Sequence, residues 1–289
     1  MTEVSSTIIQ SSFETFQMEL DEYNDRRERL IKTSRDVTVA SKRLIFGLHR
    51  FPHQSLLTSS ESDVTSTERR SEVAKKVLKE AYLKRDEIIS MILQAAKREG
   101  LDIEFRGVGD ADVKTEDLEI GRATRYERAI GSGLEEFIEA ISFLHFLEHT
   151  SLISLKQVQA YFTENGRVVF PIPISRYLLG LSDLTGELMR FATNAVGSGD
   201  ASDVVFVVLN LIRDLRSNLD PFVPYIRVMK KKQVVTTQSM VKIEDISYAI
   251  KVRSSEFSSN PVALQEMLRR SLHSDNRLEK DTQMDEDDN

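Results

Sequence analysis

The chain has 289 residues, 40% of them hydrophobic and 29% charged, with a formal net charge of −7. That is the composition of an ordinary globular protein, with room for one large helical domain or two small ones. Cysteine is absent, which excludes disulfides, thiolate metal sites and cysteine nucleophiles.

Only 6 Pro and 12 Gly interrupt the chain, which favours long helices over many short strands. No stretch approaches the roughly 18 apolar residues of a membrane span, and no basic segment followed by an apolar run marks a secretory leader. The expectation is a cytoplasmic protein, with the nucleus as a second compartment and no membrane partner.

Residues 1–12 read as a flexible N-terminus. Phe13, Phe16, Leu20, Tyr23, Leu30, Val37, Leu44 and Leu48 recur at helical intervals and predict one helix from Phe13 to about Phe51, closed by Pro52. The Ser- and Thr-rich stretch 53–67 reads as a loop, with Thr67 or a neighbouring Ser capping a second helix that stops at Gly100. Residues 100–121, with four Gly and seven acidic residues, read as a connector. A third helix is expected from about Arg122 to His149. A short one follows near 154–162, capped by Thr150 or Ser151, and then a turn over 163–174 with a small extended piece. Further helices are expected over 175–196, capped by Ser175, over 201–219 and over 237–257, with MKKKQ at 229–233 an exposed loop. Apolar residues cover nearly the whole girth of the first half of 203–219. Such a helix suits the central core or an oligomer interface. The whole is expected to be all-α, with one domain over 13–260 and an acidic, disordered tail over 261–289. From Asp275 onward that tail holds seven acidic and two basic residues, so most of the net charge sits there.

Two helices carry the candidate chemistry. Glu136 and Glu139 stand at i, i+3, on one face, and Phe143 and Phe146 fall in the same sector. Asp183 and Glu187 stand at i, i+4 and flank the apolar stripe of Leu181, Leu184, Leu188 and Phe191. If these helices are antiparallel neighbours, four carboxylates converge. Such a cluster repels itself unless some members protonate or a cation binds. A hard divalent cation with oxygen ligands, most simply Mg²⁺, answers that requirement and can activate water against a phosphodiester. The same spacings also suit solvated helix faces, so spacing leaves both readings open. No Glu has a His three residues on, which excludes the ferritin-like di-iron pattern. His145 and His149 read as structural.

Basic residues give a second signal. Arg35, Lys42 and His49 repeat at one-heptad spacing, as do Arg43 and Arg50, and form a stripe along the first helix. Arg122, Arg125 and Arg128 cluster just ahead of the glutamate pair. These residues suit RNA phosphates, or equally a solvated face balanced by acids.

The segments SRDVTVASKRLIFGLHR (34–50), GLEEFIEAISFLHFLEHTSLIS (133–154), YLLGLSDLTGELMRFATNAVGSGD (177–200) and KIEDISYAIKVRSSE (242–256) resemble, in order, the Trax branch of the translin family. The run DLTGELMR is the most specific, since no helix statistics demand it. The resemblance implies a translin-like seven-helix bundle with long antiparallel helices. It also implies a hetero-oligomer with translin, typically an octamer. Within that assembly it implies an Mg²⁺-dependent endoribonuclease acting on single-stranded or nicked RNA: passenger-strand fragments of RNA silencing and tRNA-derived RNA. Glu136, Glu139, Asp183 and Glu187 match the family's catalytic, metal-holding carboxylates. The alternative is a non-catalytic scaffold that stabilises translin and binds single-stranded nucleic acid, DNA included.

Overall fold

A computed structural model describes residues 2–57, 71–101, 113–198 and 201–256. It contains the helices α1 (Thr2–Leu48), α2 (Gln54–Leu57), α3 (Glu72–Glu99), α4 (Val113–His149) and α5 (Leu155–Ala160). A two-stranded antiparallel hairpin, β1 (Thr163–Glu164) with β2 (Arg167–Val168), leads to α6 (Ile174–Ser198) and α7 (Ala201–Leu219). A 3-10 turn over Asp220–Phe222 precedes α8 (Met229–Glu256). The fold is all-α, as expected. The acidic tail, Thr67 and residues 102–112 of the 100–121 connector lie outside the described residues.

Several boundaries differ from the sequence expectation. Helix α1 begins at Thr2, because nothing in TEVSSTIIQSS breaks a helix. One turn of helix, α2, lies inside the expected loop 53–67. Helix α4 starts at Val113 rather than Arg122 and carries Gly121 within it. Helix α8 starts at Met229 rather than Thr237, so the MKKKQ run is its first turns and not a loop. The fully buried Met229 anchors that start.

The caps also shift. Ser71, not Thr67, caps α3, accepting from the Ala74 amide at 3.2 Å. Ser154 and Gln157 form a capping box on α5, because Thr150 is in the left-handed conformation (φ 53°) that ends α4. Gly100 closes α3 in the same conformation at φ 62°, which glycine adopts without strain.

Helix α4 lies between α1 and α6, and α6 in turn packs on α7 and α8. From Phe137 to Leu147 almost every side chain of α4 is buried, so α4 is the central helix. In α7 the burial falls on Val204, Val205, Val208 and Ile212, with Asn210, Arg213 and Asp214 exposed. Its apolar run is therefore part of the core.

Direction follows from paired contacts. Arg29 meets Glu99 while Gly47 lies beside Lys84, so α1 and α3 are antiparallel. Arg213 meets Glu244 and Lys251 covers Phe206, so α7 and α8 are antiparallel too. The carboxylate helices are not. Arg176 pairs with Glu127 and Glu135, and Phe191 meets Phe143, so positions on α4 and α6 advance together. Likewise Tyr23 stacks on Tyr126, Ser34 bonds Ser132, and Lys42 meets Glu136 along α1 and α4. The three central helices run parallel, because α3 and then the α5–hairpin segment carry the chain back between them.

Candidate functional site

The central helices approach closely where side chains are missing. A Cβ on Gly133 would lie 2.5 Å from the Ser34 carbonyl oxygen, and one on Gly180 would lie 2.7 Å from Ile138 Cγ2 and 2.9 Å from the Glu135 carbonyl oxygen. The backbone of α4 is thereby drawn against α1 on one side and α6 on the other. One turn beyond these contacts, the acidic positions of α4 and α6 share one neighbourhood.

Glu139 is the innermost of them, 9% exposed. Its carboxyl is pushed up to about 8, first by burial and then by Asp183, Glu136 and Glu187, with Lys232 pulling the other way. Glu139 therefore feels the other three predicted carboxylates, despite the parallel arrangement. Asp183 is also raised, by burial first, although the Lys232 ammonium hydrogen-bonds both its oxygens, one at 2.6 Å. Burial opposes ionisation of Glu187 as well. There the His49 hydrogen bond and the charge of Arg190 win, and its pKa is lowered. Glu136 faces Lys42 at 3.3 Å.

The protein's own cations thus answer part of the cluster. His49 Nε2 lies 2.5 Å from Glu187 Oε2, and its ring packs 5.0 Å from Phe143. The other ring nitrogen, Nδ1, is buried without a hydrogen-bond partner. Lys232 also reaches Glu135 at 3.5 Å, and Glu135 is held by Arg176 at 2.5 Å. Among the described residues, Glu139 alone of these carboxylates has neither hydrogen bond nor ion pair. The oxygen donors and the unanswered charge at Glu139 fit a hard divalent cation. Among the described residues, however, no three His, Asp or Glu side chains are gathered tightly enough to hold an ion as they stand, since Asp183 and Glu187 are directed to Lys232 and His49.

Of the expected RNA-contacting residues, Arg35, Lys42 and Arg43 are exposed along α1, and Arg50 is exposed in the turn just after it. His49 is not: its side chain is 12% exposed and points into the carboxylate cluster. Arg125 is exposed with its guanidinium 4.4 Å from the Tyr23 ring centroid. Arg128 is exposed, and the side chain of Arg122 lies outside the described residues. The His145 and His149 rings lie with centroids 4.5 Å apart, tilted by 49°, at the end of α4, with His145 near Ser151. Lys232 and Glu135 were not singled out by sequence reasoning. The signal for Lys232 is the helical continuity of MKKKQVV, which puts one of three lysines inward.

The Translin family model matches residues 25–97 and 111–254. Translin-associated protein X of Pongo abelii is 34% identical over 90% of this chain and 84% of its own length. The mouse protein of that name is 33% identical over 89% of this chain and 83% of its own. The Schizosaccharomyces pombe homologue is 28% identical over 86% and 90%. The crystal structure of AfC3PO superposes with a TM-score of 0.53 at 19% identity, covering 83% of this chain and 97% of that one. For apo-NeC3PO the TM-score is 0.51 at 13% identity, covering 81% and 94%. These two likenesses speak for the fold. The family match and the mammalian identities over nine-tenths of the length go further: the chain belongs to the Translin family, and within it is similar to Translin-associated protein X.

Proposed function

We propose that the chain is the carboxylate-bearing subunit of an Mg²⁺-dependent endoribonuclease, assembled with translin and acting on single-stranded or nicked RNA. The observation that carries this reading is Glu139, a buried carboxyl without a partner, set among three other carboxylates. Such a site is costly to keep unless a cation joins it. Glu136, Glu139, Asp183 and Glu187 would hold Mg²⁺, which when bound supplies an activated water and charge stabilisation at the phosphodiester.

The remaining work falls to the chain's own groups. His49 fixes the orientation of the Glu187 carboxylate. Phe143 and Phe191, packed edge to face at 5.9 Å, keep one wall of the site apolar. Arg35 and Arg43 on α1, Arg50 in the turn after it, and Arg125 and Arg128 on α4 offer exposed charge for RNA phosphates. Phe13, Phe16, Met18 and Leu20 are exposed near the start of α1, as are Tyr225, Val234, Val235 and Tyr248 around α8. They suit burial against a partner subunit.

The pairing of Asp183 with Lys232, of Glu187 with His49 and of Glu136 with Lys42 favours a second reading, a scaffold without catalysis, because three of the four carboxylates are already answered. One experiment decides. The chain is purified alone and with translin, and single-stranded RNA is incubated with each in Mg²⁺ or EDTA. Mg²⁺-dependent cleavage by the complex, lost in EDTA, is the expected result. Binding without cleavage in either condition leaves the scaffold.

A further inference from the structure

The first turn of α8 delivers an ammonium into an acidic site, and that ammonium has two carboxylates to choose from. Lys232 Nζ lies 2.6 Å from Asp183 Oδ1 and 3.5 Å from Glu135 Oε2. Glu135 stands next to Glu136 on α4 but is not part of the cluster that burdens Glu139. It is held by Arg176, which is itself anchored on Glu127 at 3.0 Å. Glu135 is therefore a fixed landing point, and Lys232, on a flexible four-carbon stem, can move between it and Asp183 by side-chain rotation alone. A divalent cation on Asp183 and an ammonium on the same carboxylate would repel strongly at such separations in a half-buried site.

We propose that Lys232 is a positioning residue that competes with the divalent cation: its ammonium occupies Asp183 in the metal-free chain and passes to Glu135 when the cation arrives. The inference rests on the metal-binding reading of the site. Lys232 then serves two ends. It holds the Asp183 carboxylate in place while no metal is bound, and it limits how tightly the site holds the ion, so that metal uptake exchanges one cation for another. Arg176 and Glu127 take part only by holding Glu135 still.

The test is Mn²⁺ binding to the full chain by calorimetry, with thermal melting in EDTA alongside. Lys232→Met is expected to bind Mn²⁺ about tenfold tighter than wild type, since a charged hydrogen bond no longer has to be broken. It should melt lower in EDTA and recover when Mn²⁺ is added. Lys232→Arg, which keeps the competing charge, should stay near wild type. Glu135→Gln removes the landing point and should weaken binding, and that weakening should shrink in the Lys232→Met background. A merely structural lysine would give weaker or unchanged binding in Lys232→Met, and either result overturns the inference. So does an equal effect of Glu135→Gln in both backgrounds. Should Lys232→Met fail to fold, the Glu135→Gln comparison in wild type and Lys232→Arg decides: unchanged Mn²⁺ affinity in both overturns the inference. A wild-type chain that takes up no Mn²⁺ overturns the metal-site reading itself, and the inference with it.

Discussion

Glu139 links the chemistry of the site to the stability of the chain. Its folded carboxyl sits at about 8 against an ordinary value of 4.5, so the folded state holds this proton more tightly than the unfolded state does. Glu139 therefore supports folding fully below about pH 4.5, and that support is lost as the pH rises towards 8. Over that window it amounts to a few kcal/mol, on the order of 1.4 kcal/mol for each pH unit between the two values. In EDTA the melting temperature should fall from pH 5 to pH 8, and Glu139→Gln should flatten that fall and leave the chain more stable at pH 8. An identical slope in the variant would mean that the cluster imposes no such penalty. In the RNA assay, Glu139→Ala or Asp183→Ala should abolish cleavage yet keep RNA binding, since displacing a reacting group by about 1 Å costs about 100-fold. Normal cleavage by either variant would move the active site elsewhere. At this scale the sequence was informative about the acids, because Glu136 and Glu139 share a sector with Phe143. It was misleading about His49, whose heptad spacing with Lys42 suggested a surface stripe. The turn that follows α1, just before Pro52, instead brings it against Glu187 of α6.

Among elements, the decisive feature is how closely α4 and α6 lie. Gly180 allows it, and its open position is bounded by the Glu135 carbonyl oxygen, which cannot swing away as a side-chain tip can. Gly180→Ala should force the helices apart, lowering stability by about 1–3 kcal/mol as overpacking does and weakening Mn²⁺ uptake as well. Urea denaturation measures the first and calorimetry the second. A variant as stable as wild type would show that the interface yields freely. Helix existence was legible from periodicity and breakers, as Gly100 and the 201–219 segment illustrate. Helix direction was not. Which helix neighbours which depends on returns of the chain through α3 and the hairpin, and no local pattern in α4 or α6 encodes that. The start of α8 was missed for a related reason. Three consecutive lysines look like a solvated loop until Met229 is seen to be buried beneath them.

Across the whole molecule, charge and apolar surface are set apart from the core. Arg35 and Arg43 are exposed on α1. Reversing either to Glu should weaken RNA binding and flatten its salt dependence by about 0.7 per lost phosphate contact on a single strand. An unchanged slope in filter-binding titrations would reduce the stripe to solvated charge. Phe13 and Phe16 are 67% and 55% exposed, so replacing both with Ser should leave the melting temperature of the isolated chain unmoved while reducing co-elution with translin on size exclusion. Full co-elution would assign the contact to another face.

The order in which the chain leaves the ribosome gives Lys232 one more consequence. Synthesis runs from the N-terminus, so α1, α4 and α6, with His49 and all four carboxylates, exist before α8 does. Until Met229 and the lysines behind it emerge, Asp183 has no ammonium to meet. A nascent chain that collapsed early around Phe143 and Phe191 would have Lys42 and His49 for Glu136 and Glu187, but only protons or ambient divalent ions to relieve Asp183 and Glu139. Closure of the bundle by α8 is then the step at which Asp183 first meets a cation of the protein's own.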